Sequence, residues 1–150
     1  MKYELRKAAG ESDSLFLYEL KKLVLRPYVE KIWGWDEAVQ LQYHAENYHP
    51  QQTNVILVNG QNAGTVEIQE NAEQLFICSL YLLPQYQGNG IGTSLVRQYM
   101  QQAQQQKKRL SLEVLQSNTR ARKLYETLGL VTMPATVTDI KIFMYKDYAP

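Results

Sequence analysis

The chain has 150 residues, of which 45% are apolar and 21% charged, and a formal net charge of +1. That is enough for one folded domain, 1–150, with its own core; it is too apolar for a disordered chain and too nearly neutral to favour a nucleic-acid partner. The single cysteine, Cys78, excludes an internal disulfide and agrees with a reducing compartment, and no apolar run has the length of a signal-peptide core or a membrane span. The expected location is cytoplasmic, with no membrane partner.

Residues 3–7, YELRK, alternate as a short strand, and residues 10–13 supply turn and cap residues for a helix. Its apolar positions are Leu15, Phe16, Leu20, Leu23 and Val24, and Pro27 is expected to end it. The next segment, RPYVEKIWGWDE at 26–37, contains both tryptophans. Asp36 then opens a second helix whose Ala38, Leu41, Ala45 and Tyr48 form one apolar face, closed by Pro50. His44 and His49 are five apart with no third ligand in view, so they read as a surface pair and no metal site is expected.

From Thr53 the period becomes that of strands. Residues 53–58 are β-branched and apolar, Asn59-Gly60 is a hairpin turn, and 63–69 is the return strand. A second turn at 70–73 leads to a strand over 74–83. Cys78 falls in mid-strand, without a helix N-terminus or an evident His partner, and reads as a small buried side chain rather than a nucleophile. Ile91, Leu95, Tyr99 and Ala103 then recur at helical spacing to about residue 107, with the glutamines of QQAQQQ on the solvated face. Residues 109–115, RLSLEVL, alternate as a strand that should run parallel to 74–83, because a helix joins the two. Ser117, Asn118 and Thr119 can cap a helix carrying Ala121, Leu124, Tyr125 and Leu128, with Gly129 at its end. The tail, 131–146, reads as two strands around a turn. The order β-α-α-β-β-β-α-β-α-β-β implies an α/β protein with a mixed sheet.

Between the strand 74–83 and the helix from Ile91 lies a loop with Gly88, Gly90 and Gly92. Glycine lets successive N–H groups meet an anion closely, and the helix adds its positive dipole end, so the loop can cradle phosphate. It lacks the Lys of a nucleotide-hydrolase P-loop and the third Gly and downstream acid of a dinucleotide fingerprint. What remains is Gln87-x-x-Gly90-x-Gly92 after Leu82-Leu83-Pro84, with LEVLQSNTRARKLYETLGL at 112–130 downstream. On these two motifs the chain resembles the GNAT superfamily of acyl-CoA-dependent N-acetyltransferases. The IWGWDE segment, 32–37, resembles a group of small bacterial GNAT proteins whose acceptors are not evident from sequence.

The resemblance implies the GNAT fold, acetyl-CoA as cosubstrate without a metal, and transfer of an acetyl group to a primary amine. By the same resemblance, the amides of Gln87, Gly88, Asn89, Gly90, Ile91, Gly92 and Thr93 bind the CoA pyrophosphate. The strand at Leu80, Tyr81 and Leu82 holds the pantetheine arm, with Asn118 and Arg122 also on the cofactor side. Direct attack on the thioester needs an oxyanion donor, a base and an acid. If the strands 74–83 and 109–115 splay at their ends, the thioester can lie between them. A backbone N–H near Leu82 is the expected donor, and Tyr125 resembles the acid that protonates the CoA sulfur. Glu113 resembles the base of ribosomal-protein N-terminal acetyltransferases, although strand alternation could turn it to solvent or to a Lys. Glu67 and a water chain are the alternatives.

In this fold the segment between the first two helices usually lines the acceptor pocket, here Tyr28, Glu30, Trp33, Trp35 and Asp36, where aromatic faces beside carboxylates suit a cationic amine. The partners implied are a small-molecule or peptide amine, with the protein a monomer or homodimer. The competing class is a non-catalytic acyl-CoA-binding sensor or interaction module, against which Tyr125 with Glu113 argues.

Overall fold

The computed structural model describes residues 1–134, 137–138 and 140–150. Seven strands are hydrogen-bonded in the order β1-β2-β3-β4-β5-β7-β6. The chain forms two compact units, residues 1–67 with 80–91 and residues 68–79 with 92–150, and β3 and β4 contribute to both. No helix among the described residues is long and apolar enough to cross a membrane.

The first unit contains β1 (Glu4–Lys7), α1 (Gly10–Trp33), α2 (Glu37–Asn47), β2 (Thr53–Val58), most of β3 (Gln61–Glu70) and the end of β4 (Gln74–Leu82). β1 and β2 pair antiparallel, as do β2 and β3, whose hairpin turns at Asn59 and Gly60, both with positive φ. Asp13 ties α1 to β1. Its carboxylate accepts two bonds from Arg6, at 2.7 and 3.0 Å, and one from the N–H of Ala9, the residue before the helix, at 2.8 Å. The Arg6 guanidinium, first, and the Ala9 N–H hold the Asp13 carboxyl below its usual range against the opposing effect of burial.

Pro27 does not end α1, which continues through it to Trp33. A proline inside a helix removes one hydrogen bond and costs about 3 kcal/mol locally. Helix-compatible residues beyond it, the i,i+4 pair of Arg26 with Glu30, and Gly34 donating to Glu30 O carry the helix on. The linker to α2 is therefore only residues 34–36, and Asp36 caps α2 as expected by accepting from Val39 N at 3.2 Å.

The face that α2 buries is not the expected one. Ala38, Leu41 and Ala45 are exposed, and the buried residue is His44, at 6% exposure. His44 is therefore not part of a surface pair, although His49 is exposed. Lys21 Nζ lies 3.2 Å from His44 Nδ1 and Ser14 Oγ 3.0 Å from Nε2. Because an ammonium can only donate, Nδ1 accepts and Nε2–H donates to Ser14. Tyr18 meets the ring edge-on and Tyr48 stacks on it. A cap and a polar pin, rather than an apolar stripe, fix α2 to α1.

The second unit contains the start of β4, α3 (Ile91–Gln106) from Gly92 onward, β5 (Arg109–Leu115), α4 (Thr119–Thr127), β6 (Val131–Thr132) and β7 (Lys141–Asp147). β4 and β5 pair parallel, as the helical crossover requires, while β7 pairs antiparallel with both β5 and β6. Leu110, Leu112 and Val114 of β5, Leu95, Tyr99 and Ala103 of α3, and Ile142 and Met144 of β7 are buried. The expected turn in the tail falls partly on Ala135, Thr136 and Asp139, which lie outside the described residues.

Burial, then the Lys21 charge, push the His44 pKa below its ordinary value, against the Ser14 bond that raises it. The folded state thus favours the neutral ring, and that stabilisation is present above the unfolded pKa of about 6.5 and lost as pH falls below it. Urea denaturation between pH 7 and 5 should show stability falling in the wild type and a shallower fall in His44→Gln; equal slopes would remove His44 as the cause.

Candidate functional site

The parallel ladder between β4 and β5 runs from Gln74↔Arg109 to Ile77↔Leu112. Both strands continue past it, to Leu82 and Leu115. At the far end of β4, Leu83 N donates to Ala63 O of β3 at 2.8 Å. Alternation along a strand then turns the N–H of Leu82, and that of Leu80, to the edge away from β3. On that edge the Leu82 carbonyl accepts from Gln87 Nε2 at 2.9 Å, so the loop is clasped to the strand.

The loop itself is open. Gln87, Gly88, Asn89 and Gly90 are exposed, Gly88 and Gly90 have φ of 77° and 81°, and a Cβ on Gly90 would meet nothing within 4 Å. Ile91 follows with its side chain 1% exposed, anchoring the start of α3. Gly92 and Thr93 lie in the first turn of that helix, where N–H groups have no intrahelical acceptor.

Gly64 on β3 makes the edge geometry possible. A Cβ built there would collide with the carbonyl oxygen of Tyr81 and crowd Leu82. No side chain could be added without displacing β4 where the Leu82 N–H is aimed. Glu67, three residues on, is half-buried and paired with Thr53 in the β2–β3 register. Its charge raises the Lys21 pKa, although burial of that lysine is the larger effect and lowers it.

In the second unit, β5 carries Leu112 and Val114 on its buried face and Glu113 on the other. Glu113 Oε1 is ion-paired with Lys141 Nζ of β7 at 2.6 Å, the lysine partner that strand alternation allowed for. Asn118 caps α4, accepting from Ala121 N at 3.2 Å. Arg122 Nη1 donates to Gln116 O at 3.0 Å, leaving Nε buried without a hydrogen bond. Burial pushes the Tyr125 phenol above its ordinary pKa, so it keeps its proton at neutral pH.

The segment expected to line the acceptor pocket is divided. Tyr28, Glu30 and Trp33 belong to the last turns of α1, and Trp33 is 64% exposed. Trp35 donates to Glu37 at 2.9 Å, and Asp36 is spent as the α2 cap. A groove of about 640 Å³ lies instead along α1 in the first unit, with Leu83 also lining it. Glu30 is on it; so are Phe16 and Leu23, which the helical period marks only as apolar positions, and Glu19, which no motif marks. The available signal was that α1 carries more apolar positions than one buried stripe needs.

The profile of the acetyltransferase (GNAT) family matches residues 17–130. The chain belongs to that family. It is thus an acyltransferase, and the mixed sheet with its parallel β4–β5 pair is the GNAT fold. No curated protein matches the sequence. Among solved structures, the PaiA N-acetyltransferase of Thermoplasma acidophilum in complex with coenzyme A is 18% identical, with a TM-score of 0.74, covering 99% of this chain and 100% of its own. The ribosomal-protein-S18-alanine N-acetyltransferase of Escherichia coli is 20% identical, with a TM-score of 0.68 and coverages of 99% and 96%. Arabidopsis thaliana Naa50, in complex with the bisubstrate analogue CoA-Ac-MVNAL, is 16% identical, with a TM-score of 0.65 and coverages of 98% and 99%. At these identities the likeness is one of fold.

In this GNAT protein Gly64→Ala should cost about 1–3 kcal/mol by overpacking. It should also lower acetyl transfer beyond what the lost stability explains. Urea midpoints and turnover on folded protein measure the two effects, and wild-type values for both would remove Gly64 from the argument.

Proposed function

We propose that residues 1–150 act as one N-acetyltransferase domain that moves the acetyl group of acetyl-CoA to a primary amine by direct attack in a ternary complex. The observation that carries this reading is the edge of β4, where Leu80 and Leu82 turn their N–H groups away from β3 beyond the last β4–β5 ladder pair. Backbone donors at fixed positions cost no reorganisation as an oxyanion forms. The CoA held by the Thermoplasma structure and the CoA-peptide analogue held by Naa50 support the same donor and an amine acceptor.

In this mechanism the amides from Gly88 to Thr93 hold the pyrophosphate, while Gln87, whose own N–H donates to Pro84 O at 3.2 Å, holds the loop to the strand through its side chain, and the pantetheine arm pairs with the backbone of Leu80. The Asn118 side-chain amide has its oxygen committed to the α4 cap, which leaves its two N–H donors for the same arm, and Arg122 supports the cofactor side. The neutral amine attacks the acetyl carbon, the Leu82 N–H stabilises the oxyanion, and the C–S bond breaks as the N–C bond is retained. Tyr125 gives its proton to the departing thiolate, a role that requires the phenol to remain protonated at working pH.

Glu113 takes the amine proton. A carboxylate that already holds the Lys141 ammonium can exchange it for a substrate ammonium with no net change of charge. Glu67 is the second reading for the base, favoured by the Lys141 ion pair that already engages Glu113. Tyr28, Trp33, Trp35 and Asp36 shape the acceptor end through the close of α1 and the linker.

Tyr125→Phe should lower kcat about a hundredfold with little change in the acetyl-CoA KM, as expected for loss of a general acid. Steady-state thiol release checks this, and an unchanged kcat would exclude the residue as the acid. Glu113→Gln and Glu67→Gln, assayed side by side, assign the base to whichever loses the acidic limb of the kcat profile.

A further inference from the structure

The groove along α1 has a one-sided chemistry. Phe16, Leu20, Leu23 and Pro27 supply its apolar surface, and Leu23 remains 52% exposed although it sits in a helix that packs on the sheet. Two cations, Lys22 and Arg26, also reach it, but both are committed. Lys22 Nζ donates to Glu37 Oε1 at 3.1 Å, while Glu37 Oε2 accepts Trp35 Nε1 at 2.9 Å. Arg26 Nε meets Glu30 Oε2 at 3.4 Å, and its guanidinium lies 5.8 Å from the Trp35 ring centre. These two cations and two carboxylates neutralise one another around Trp35.

One acceptor is left over. The Glu19 carboxylate, exposed on the groove, has no ion pair among the described residues. A volume of about 640 Å³ is of ligand size. Leu83 also lines the groove, next in sequence to the residue whose N–H is turned to the edge of β4 away from β3.

We propose that this groove selects an amphipathic cation as acceptor: a primary amine to be acetylated beside Leu83, an apolar body along Phe16 and Leu23, and a second positive group meeting Glu19. The inference rests on the acetyl-transfer reading. Its chemistry is shared by a peptide that begins with an apolar residue followed by Lys or Arg and by a diamine with an alkyl spacer.

The test is kcat/KM with acetyl-CoA for tetrapeptides that begin with Leu and carry Lys, Gln or Glu at the second position, beside alkyl diamines and the matching monoamines. The Lys peptide should exceed the Glu peptide by at least about threefold, the scale of an exposed ion pair. Glu19→Lys should invert that order, and Leu23→Asp should raise the acceptor KM about tenfold while the acetyl-CoA KM stays constant. Both side chains are exposed, so thermal melts of these variants should match the wild type. A preference for diamines over peptides and over monoamines keeps the chemistry and assigns it to a small amine. Turnover without charge preference, or an order unchanged by Glu19→Lys, overturns the inference and leaves acetyl transfer standing. CoA binding with no turnover of any acceptor overturns both.

Discussion

Every backbone N–H must find a partner or water, and the end of β4 is where this fold leaves that requirement open. The β4–β5 ladder ends at Ile77↔Leu112, and the next N–H groups on the edge away from β3, including those of Leu80 and Leu82, require another acceptor. A ligand that runs along the strand can supply it. The surroundings hold that edge in place. Leu83 is bonded back to Ala63, Gln87 clasps the Leu82 carbonyl, and Gly64 has no side chain to push the strand away. The glycine loop and the start of α3 follow from the same point, so the loop proposed to hold the pyrophosphate and the edge are joined by a few residues of chain.

The continuation of α1 through Pro27 has an opposite character, because there the loss of a hydrogen bond shapes a surface. The helix gains two more turns and the linker shrinks to residues 34–36. Trp35 is thereby held close to α1, where Lys22, Glu37, Arg26 and Glu30 gather around it. The Trp35 bond, then Lys22, holds the Glu37 carboxyl below its usual range. Exposed pairs of this kind contribute little to stability, but they decide which charges remain available to a ligand. The electrostatics of the α1 face is thus a matter of which groups are already satisfied.

Charges near the proposed chemistry are also compensated before substrate arrives. Glu113 holds Lys141, and Glu67 acts on the half-buried Lys21, which in turn pins His44. Exchanging a movable ammonium for a substrate cation leaves the net charge of such a site unchanged. Tyr125 needs no such partner, since a phenol is protonated at neutral pH and burial pushes its pKa further up.

Local periodicity determined the elements wherever the local signal had no competitor. The strands 53–58 and 109–115, the Asn59-Gly60 hairpin, the α3 stripe and the caps Asp36 and Asn118 all follow from neighbours in sequence. The glycine loop was legible for the same reason, as positive φ at Gly88 and Gly90 is a property of the residue itself. Three features were not legible. Whether Pro27 ends a helix, which face α2 buries, and whether His44 is exposed depend on what the rest of the first unit packs against them. A buried histidine is stable only where a serine and a lysine thirty and twenty-three positions away meet its two nitrogens. The pairing of Glu30 with Arg26 is local, an i,i+4 spacing visible in the sequence. That Glu113 meets Lys141 was decided by tertiary structure alone, because the two lie on different strands and an ion pair between strands depends on distance in space, which leaves no mark in composition or period.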